Sequence, residues 1–247
     1  MTHYLLLIVA GFLAGGLNTI AGGGSFLTFP ALVYVGVPIV SANATSAVAV
    51  FPGYIGAVAG FRDEIASFER PTLIKLTIVS LLGGLIGSLL LLVTSNETFK
   101  VLVPWLLLFA TLLFGAGDYL VAWSKRRNLR LGKFLTPGVL CVSIYGGYFN
   151  GGLGIMLMAL FAVIGMRDMN IMNGLKNGIS VVLSAISVIT FAWAGLVQWP
   201  EAIIMMLAAT VGGYLGAYAA KALSRRAIKT LIMVVGLVMS IVFFYRA

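Results

Sequence analysis

The stretch that decides the fold is Asn18-Thr19-Ile20-Ala21-Gly22-Gly23-Gly24-Ser25, which interrupts the first long apolar segment of the chain. Three consecutive glycines inside a bilayer would leave backbone hydrogen bonds unmade unless the interruption is enclosed by protein or lines a cavity. The apolar run that follows, 26–36, would form a helix of about 16 Å, roughly half of the ~30 Å hydrocarbon core. The pattern therefore predicts a half-helix that begins near the middle of the membrane.

A second interruption, Asn150-Gly151-Gly152-Leu153-Gly154, is followed by another short apolar run, 155–165. Hydrophobic residues make up 61% of the 247-residue chain and charged residues only 9%, whereas a soluble domain carries about a quarter. About eight apolar segments are long enough to contribute to a membrane domain. Their approximate ranges are 4–36, 42–60, 72–94 and 98–122, then 134–165, 170–196, 201–222 and 227–245. We predict an all-α polytopic membrane protein with a glycine-broken half-helix element in each half.

The two halves of the chain correspond at one constant offset, the repeat register, which places Gly22 on Gly151. The matched landmarks are Gly22-Gly23 with Gly151-Gly152, Gly36 with Gly165, Gly83-Gly84-x-x-Gly87 with Gly212-Gly213-x-x-Gly216, and Ser95…Lys100 with Ser224…Lys229. Four landmarks in one register indicate an internal repeat. We predict a first transmembrane repeat at 1–123, a basic cytoplasmic linker at 124–133 and a second, inverted transmembrane repeat at 134–247. The Gly-x-x-x-Gly spacing in both halves is typical of close helix packing.

The positions of the basic residues predict the orientation. If the central basic loop is cytoplasmic and segments 4–36 and 134–165 return to the side where they start, thirteen of the sixteen basic residues lie inside. They are Arg62, Arg70, Lys75, Lys125, Arg126, Arg127, Arg130, Lys133, Arg167, Lys221, Arg225, Arg226 and Lys229. The equivalent loops 95–100 and 224–229 differ in the same sense, because the first is nearly neutral and the second is basic. Both termini are therefore predicted outside.

The net charge of +9 does not indicate a nucleic-acid partner, because the basic residues lie in short loops between apolar segments. One histidine and seven acidic residues offer few metal ligands, and no catalytic motif is present. We therefore predict neither an enzyme nor a metal or cofactor site. The expected partners are the lipid bilayer and a small anionic substrate, and a homo-oligomer remains open.

The two predicted half-helices favour an anion, because a helix N-terminus presents free N–H groups and the positive end of its dipole. Lys176 is a cation within an apolar segment and has no acidic partner in the sequence pattern. It either faces a partner or a water-filled path, or reaches to the cytoplasmic headgroups. The predicted substrate-binding residues are Asn18, Gly22, Gly23, Gly24, Ser25, Thr45, Asn150, Gly151, Gly152, Gly154, Lys176 and Asn177.

The first-half motif is Gly11-Phe12-Leu13-Ala14-Gly15-Gly16-Leu17 leading into 18–25, with Pro30, Gly36-Val37-Pro38 and Ala42-Asn43-Ala44-Thr45-Ser46. It resembles the TauE/SafE family of sulfite-exporter-like permeases. The second half is similar around 150–154 and Gly165, although Asn173-Gly174-Leu175-Lys176-Asn177 departs from the Ala-x-x-Thr-Ser form. The resemblance implies transport of sulfite, thiosulfate or organosulfonates by a multi-pass protein of the prokaryotic plasma (inner) membrane, and it leaves the particular anion and the direction of transport open.

The functional hypothesis is a secondary transporter that works by alternating access, with the anion held between the two breaks at the repeat interface. Three alternatives remain open. A passive anion channel would use the same polar breaks, and a permease for another small organic anion, such as a carboxylate, would differ only in its ligand. A membrane-embedded scaffold subunit would bind no ligand at the breaks.

Overall fold

The computed structural model describes residues 2–127, 134–219 and 225–246. Within these ranges the chain forms eleven α-helices and no β-strand. The helices are α1 (Thr2–Ala21), α2 (Ser25–Tyr34), α3 (Ile39–Gly60), α4 (Arg62–Ala66), α5 (Arg70–Leu92), α6 (Asn96–Arg127), α7 (Leu135–Tyr148), α8 (Leu153–Val163), α9 (Met169–Trp193), α10 (Trp199–Ala219) and α11 (Arg225–Arg246). The all-α prediction is confirmed.

Several helices are apolar enough for a membrane. In the described part of the chain, four are long enough to cross a bilayer: Ile39–Gly60, Arg70–Leu92, Asn96–Gly117 and Met169–Trp193. Shorter apolar helices lie at His3–Asn18, Ser25–Tyr34, Leu153–Val163, Trp199–Leu215 and Met233–Tyr245. Large apolar side chains also face outward, as at Leu13, Ile78 and Leu207. A surface of this kind suits hydrocarbon rather than water, so the chain is a polytopic membrane protein.

The second broken segment is a re-entrant hairpin. A Cβ built on Gly146, near the end of α7, would lie 2.7 Å from Leu153 at the start of α8. A Cβ built on Gly138, near the start of α7, would meet Leu160, near the end of α8. The two helices are therefore antiparallel, and the chain returns to the side from which α7 began.

The half-helices α2 and α8 end in the same way. Gly36 and Gly165, which the repeat register pairs, both have φ +94°. Next to them, the N–H of Val37 donates to the carbonyl of Leu32 at 3.1 Å, and the N–H of Met166 donates to Phe161 at 2.9 Å. A left-handed glycine with this bond is a common way to end a helix. The equivalent residues of the two halves thus adopt equivalent turns.

Helices of one half pack against helices of the other half. Helix α1 packs along α10 of the other half, and α5 packs along α7. Glycines allow the close approach, because a Cβ on Gly87 would collide with the carbonyl of Ile144, and one on Gly212 with that of Phe12. The predicted packing role is confirmed at these positions. The surroundings of Gly216 lie outside the described part of the structure.

Helix α6 is longer than its apolar segment. It continues to Arg127, so residues 124–127 of the predicted linker 124–133 are helical. Lysine and arginine are good helix formers, which allows a helix to extend beyond its apolar part. The rest of the linker, 128–133, and the basic residue Lys221 lie outside the described residues.

Candidate functional site

The first break consists of Gly22, Gly23 and Gly24, between α1 and α2. Gly22 has φ +76°, a conformation that other residues rarely adopt. The carbonyls of Gly23 and Gly24 accept hydrogen bonds from Phe26 and Leu27 at 3.1 and 3.0 Å. None of the backbone bonds in this turn uses the N–H groups of Gly23, Gly24 or Ser25. Helix α2 therefore begins with free donors, as the sequence predicted.

The second break, 149–152, lies between α7 and α8 and is one residue longer. Its left-handed glycine is Gly152, with φ +77°, and the carbonyl of Gly152 accepts from the N–H groups of Ile155 and Met156 at 3.0 and 3.1 Å. The left-handed glycine is the first residue of the first break but the last of the second. The conformational match therefore joins Gly22 to Gly152, one position away from the match in sequence.

The two breaks are in direct contact. A Cβ built on Gly22 would lie 3.1 Å from the Cα of Gly154, and a Cβ built on Gly154 would lie 3.1 Å from the Cα of Gly22. A Cβ on Gly152 would lie 3.4 Å from the ring of Phe26 in α2. The glycines of both breaks are buried. The starts of α2 and α8 thus meet inside the protein, backbone against backbone.

Lys176 lies at this meeting point. Its Cδ is 3.4 Å from a Cβ built on Gly154, and the residue is 4% exposed. Within the described part of the chain it makes no hydrogen bond or ion pair. Asp168 instead caps α9, accepting from the N–H groups of Asn170 and Ile171 at 2.8 and 3.1 Å. Because Lys176 is buried, its side chain does not reach the lipid headgroups in this conformation. The lysine lies instead beside the two helix starts.

Asn18 and Asn150 belong to a polar cluster around Tyr54. The Tyr54 hydroxyl donates to Oδ1 of Asn150 at 3.3 Å, and Asn18 lies beside the same tyrosine. Oδ1 of Asn18 is buried without a hydrogen-bond partner. The sequence predicted both asparagines but missed Tyr54. A tyrosine within an apolar segment was the available signal, because its buried hydroxyl needs a partner.

The other predicted site residues divide into those whose polar groups make no hydrogen bond and those whose polar groups already have a partner. Ser25 and Asn177 are 5% exposed and make no hydrogen bond within the described chain, so their polar groups are available. Thr45 is already engaged, because its Oγ1 accepts from the N–H of Gln198 at 3.0 Å. Gly151 is buried in the second break, where its carbonyl accepts from the Tyr145 hydroxyl at 2.7 Å. The Thr45 hydroxyl is therefore shared with the segment just before α10.

Among the residues that the structure describes, no group of three or more histidine, cysteine, aspartate and glutamate side chains could hold a metal ion. The chemistry available at the breaks is that of backbone N–H groups, hydroxyls, amides and one ammonium. These groups bind through hydrogen bonds and charge and provide no evident nucleophile with its base.

Comparisons with known proteins agree with this picture. The model of a family described as "Sulfite exporter TauE/SafE" matches residues 7–243. The chain is 25% identical over 241 residues to "Probable membrane transporter protein ORF9" of Sinorhizobium sp, covering 95% of this chain and 90% of the relative. It is 27% identical over 245 residues to a "Probable membrane transporter protein" of Haemophilus influenzae, covering 95% and 92%. It is also 25% identical over 237 residues to "Probable membrane transporter protein YfcA" of Escherichia coli K12, covering 95% and 87%. No solved structure matches the chain significantly.

Proposed function

The chain belongs to the sulfite exporter TauE/SafE family of membrane transporters, and we propose that it exports small sulfur-containing anions such as sulfite, thiosulfate or organosulfonates. The family consists of transporters rather than enzymes, in agreement with the sequence prediction. We place the anion between the two breaks, in the multi-pass protein of a prokaryotic inner membrane. The observation that carries the proposal is the buried, unpaired Lys176 beside two helix starts.

The physical basis is charge balance in a desolvated site. A buried ammonium without a counter-ion is costly, so an anion that pairs with Lys176 compensates for its burial. The free N–H groups of Gly23 and Gly24 add donors on one side, and the start of α8 adds donors on the other. Sulfur oxyanions offer several acceptor oxygens, so they can engage both helix starts at once.

Two short segments pack over equivalent parts of α3 and α9, and we call them the covers. This paired arrangement favours alternating access. Helix α4 lies over the first half of α9, where a Cβ on Gly174 would lie 3.3 Å from Glu64 and from Ile65. The segment between α9 and α10 lies over the first half of α3, where Gln198 donates to Thr45. The repeat register pairs Thr45 with Gly174, so the two covers hold equivalent positions on α3 and α9. A carrier needs one closure on each side of its site.

Flux of radiolabelled sulfite in proteoliposomes tests the proposed function. We expect saturable uptake into vesicles of purified protein and at least a tenfold loss of apparent affinity in Lys176→Ala, since a charge-assisted bond is worth roughly 1.5–3 kcal/mol. Lys100→Ala is the matched control, because Lys100 is exposed at the start of α6, and its flux should equal wild type. Unchanged flux and affinity in Lys176→Ala would remove Lys176 from the site.

The same vesicles distinguish a carrier from a passive channel. A carrier gives counterflow, in which unlabelled sulfite inside accelerates the entry of labelled sulfite, and its rate saturates. A channel gives a current that follows voltage without saturating. Competition by thiosulfate, methanesulfonate and acetate then defines the class of anion that is transported. If only acetate competes, the substrates are carboxylates and not sulfur anions.

A further inference from the structure

Four buried serine hydroxyls have no hydrogen-bond partner, and they lie on three helices that pack together. We call them the serine cluster: Ser80 on α5, Ser143 on α7, and Ser180 and Ser184 on α9. Their exposed fractions are between 0% and 1%. A buried hydroxyl without a partner is unfavourable, and serines in apolar helices usually bond to a carbonyl one turn earlier. Other serines of this protein do so, including Ser88 to Leu85 at 3.0 Å and Ser240 to Gly236 at 2.7 Å.

Two members of the serine cluster, Ser180 and Ser184, lie on the same face of α9 as Lys176. Lys176, Ser180 and Ser184 are spaced four residues apart, and this spacing places side chains on the same side of a helix. Ser187, three residues further, lies on that side too, with its hydroxyl 3.4 Å from the carbonyl of Gly84 in α5. From Lys176 to Ser187 the helix rises about 16 Å, roughly half of the ~30 Å hydrocarbon core.

The three helices converge closely where the cluster lies. A Cβ on Gly83 would touch Cβ of Ser143, and a Cβ on Gly84 would lie 2.8 Å from the carbonyl of Leu183. A Cβ on Gly146 of α7 would lie 3.2 Å from the Leu183 side chain. Ser143 makes one of these contacts itself, and Ser80, Ser180 and Ser184 are each within three residues of another along their own helices. Because each lacks a partner, no two of them bond to each other, and a third group is needed to satisfy them.

The positions equivalent to the serine cluster in the repeat register carry no hydroxyl. In the repeat register, the counterparts of Ser80, Ser143, Ser180 and Ser184 are Ala209, Ala14, Phe51 and Ile55, in that order. All four counterparts are apolar. The hydroxyls are therefore not required by the packing of these helices, because the equivalent packing is achieved without them.

We propose that the serine cluster is a second anion site, which receives the sulfur oxyanion after it leaves Lys176. The inference rests on the proposed function and adds a route to it, between α5, α7 and α9. Hydroxyl donors bind an oxyanion without adding charge, so the ion is held weakly enough to move on. The route is asymmetric: it follows the face of α9 and has no equivalent on α3.

Alanine substitutions test this site, and their effect on folding differs from that of ordinary core mutations. Removing an unpaired buried hydroxyl should leave thermal stability unchanged or raised. We expect the fourfold variant Ser80→Ala, Ser143→Ala, Ser180→Ala, Ser184→Ala to lower the maximal rate of sulfite flux at least about tenfold, since each hydrogen bond to an anion is worth roughly that factor. Sulfite binding, measured by thermal shift, should stay within about twofold of wild type because Lys176 is intact.

Ser88→Ala and Ser240→Ala are the matched controls, because both hydroxyls are buried but bonded within their own helices. Their flux should equal wild type. If the fourfold variant is more stable and transports at the wild-type rate, ordered water is the only occupant of the cluster and the proposal is overturned.

A second test does not depend on sulfite. In a Cys141→Ala background, which removes the exposed native thiol, Ser180→Cys is treated with a sulfonate-bearing methanethiosulfonate reagent. We expect modification of Ser180→Cys and none of Ser240→Cys. Absence of modification at Ser180→Cys overturns the route. Absence of sulfite flux in the wild type, with Ser180→Cys still modified, overturns the sulfite assignment alone.

Discussion

At the scale of single residues, glycine can meet two separate requirements, an unusual backbone conformation and a close contact. Gly22 combines φ +76° with contact to Gly154, so a side chain there is strained and also obstructed. Gly36 has φ +94° but nothing within 4 Å of a built Cβ, so only its backbone conformation is demanding. Gly56 in α3 has neither constraint. Substitutions at these three positions therefore separate the effect of backbone strain from the effect of steric contact.

The alanine series at these positions has an expected order. Gly56→Ala should stabilise the protein by up to about 1 kcal/mol, because alanine favours a helix. Gly36→Ala should destabilise it by about 1–2 kcal/mol through left-handed strain alone, with sulfite flux retained. Gly22→Ala should destabilise it further and abolish flux, because it separates the two breaks. Thermal unfolding in detergent and proteoliposome flux measure both effects, and normal flux in Gly22→Ala would argue against a site at this contact.

The glycine breaks and Lys176 could be predicted from sequence because they violate local expectations. Three glycines and a lysine inside apolar segments each carry a cost that needs a reason. Tyr54 gave a weaker signal of this kind, through a hydroxyl that needs a partner, and the unpaired Ser180 gave none, because serine often occurs in packed membrane helices. Their significance depends on which partners surround them, and these come from other helices.

At the scale of elements, the second break is held by shorter side-chain hydrogen bonds than the first. The hydroxyl of Tyr145 donates to the carbonyl of Gly151 at 2.7 Å, and Asn43 of α3 donates to the carbonyl of Tyr148 at 2.9 Å. In the part of the chain described, the side-chain hydrogen bond to the first break is a long one, from the Thr28 hydroxyl to the carbonyl of Gly24 at 3.5 Å. The α7–α8 turn is thus held in place by its neighbours.

Removal of one fastening should loosen this turn. Tyr145→Phe leaves the Gly151 carbonyl without its donor, and we expect a loss of about 1–3 kcal/mol in unfolding free energy. Sulfite affinity should also weaken. Tyr148→Phe is the control, because its hydroxyl makes a weaker 3.4 Å bond to Thr94, away from the break. Equal effects of the two variants on affinity would contradict the fastening of this turn.

The contact between α5 and α7 depends on glycine as well. Gly87→Ala would force Cβ into the carbonyl of Ile144, so we expect roughly 3 kcal/mol of destabilisation or a failure to fold, as in an overpacked core. Gly117→Ala on α6 is the control, because nothing lies within 4 Å of its built Cβ. Yield and the midpoint of thermal unfolding should fall only for Gly87→Ala. Equal midpoints would mean that the two helices can separate without cost.

The half-helices were predictable as elements, whereas their partners were not. Glycine marks where α2 and α8 begin and end, and these signals act locally along the chain. The packing of α1 and α5 against the other half depends on contacts between residues far apart in sequence, such as Gly212 with Phe12. A glycine pattern indicates that a helix packs closely, but not on which helix it packs.

At the scale of the whole molecule, contacts between helix ends group the loops into two sides. The N–H of Val40 donates to Oδ1 of Asn96 at 3.2 Å, so α3 and α6 begin on one side. The bond from Gln198 to Thr45 brings the start of α10 to the same side. The opposite side contains α4 and the start of α9, which meet at Gly174. The inverted arrangement of the two repeats and the outward position of the termini remain predictions from the distribution of charge.

Thiol labelling at two exposed glutamates tests that orientation. Glu97 at the start of α6 and Glu69 just before α5 are both exposed, and the charge pattern predicts Glu97 outside and Glu69 inside. In a Cys141→Ala background, a membrane-impermeant maleimide applied to intact cells should label Glu97→Cys and spare Glu69→Cys. Both should react after permeabilisation. The opposite pattern would place the basic loops outside, and the side of α4 and Gly174 would then be the outer closure of the anion site rather than the cytoplasmic one.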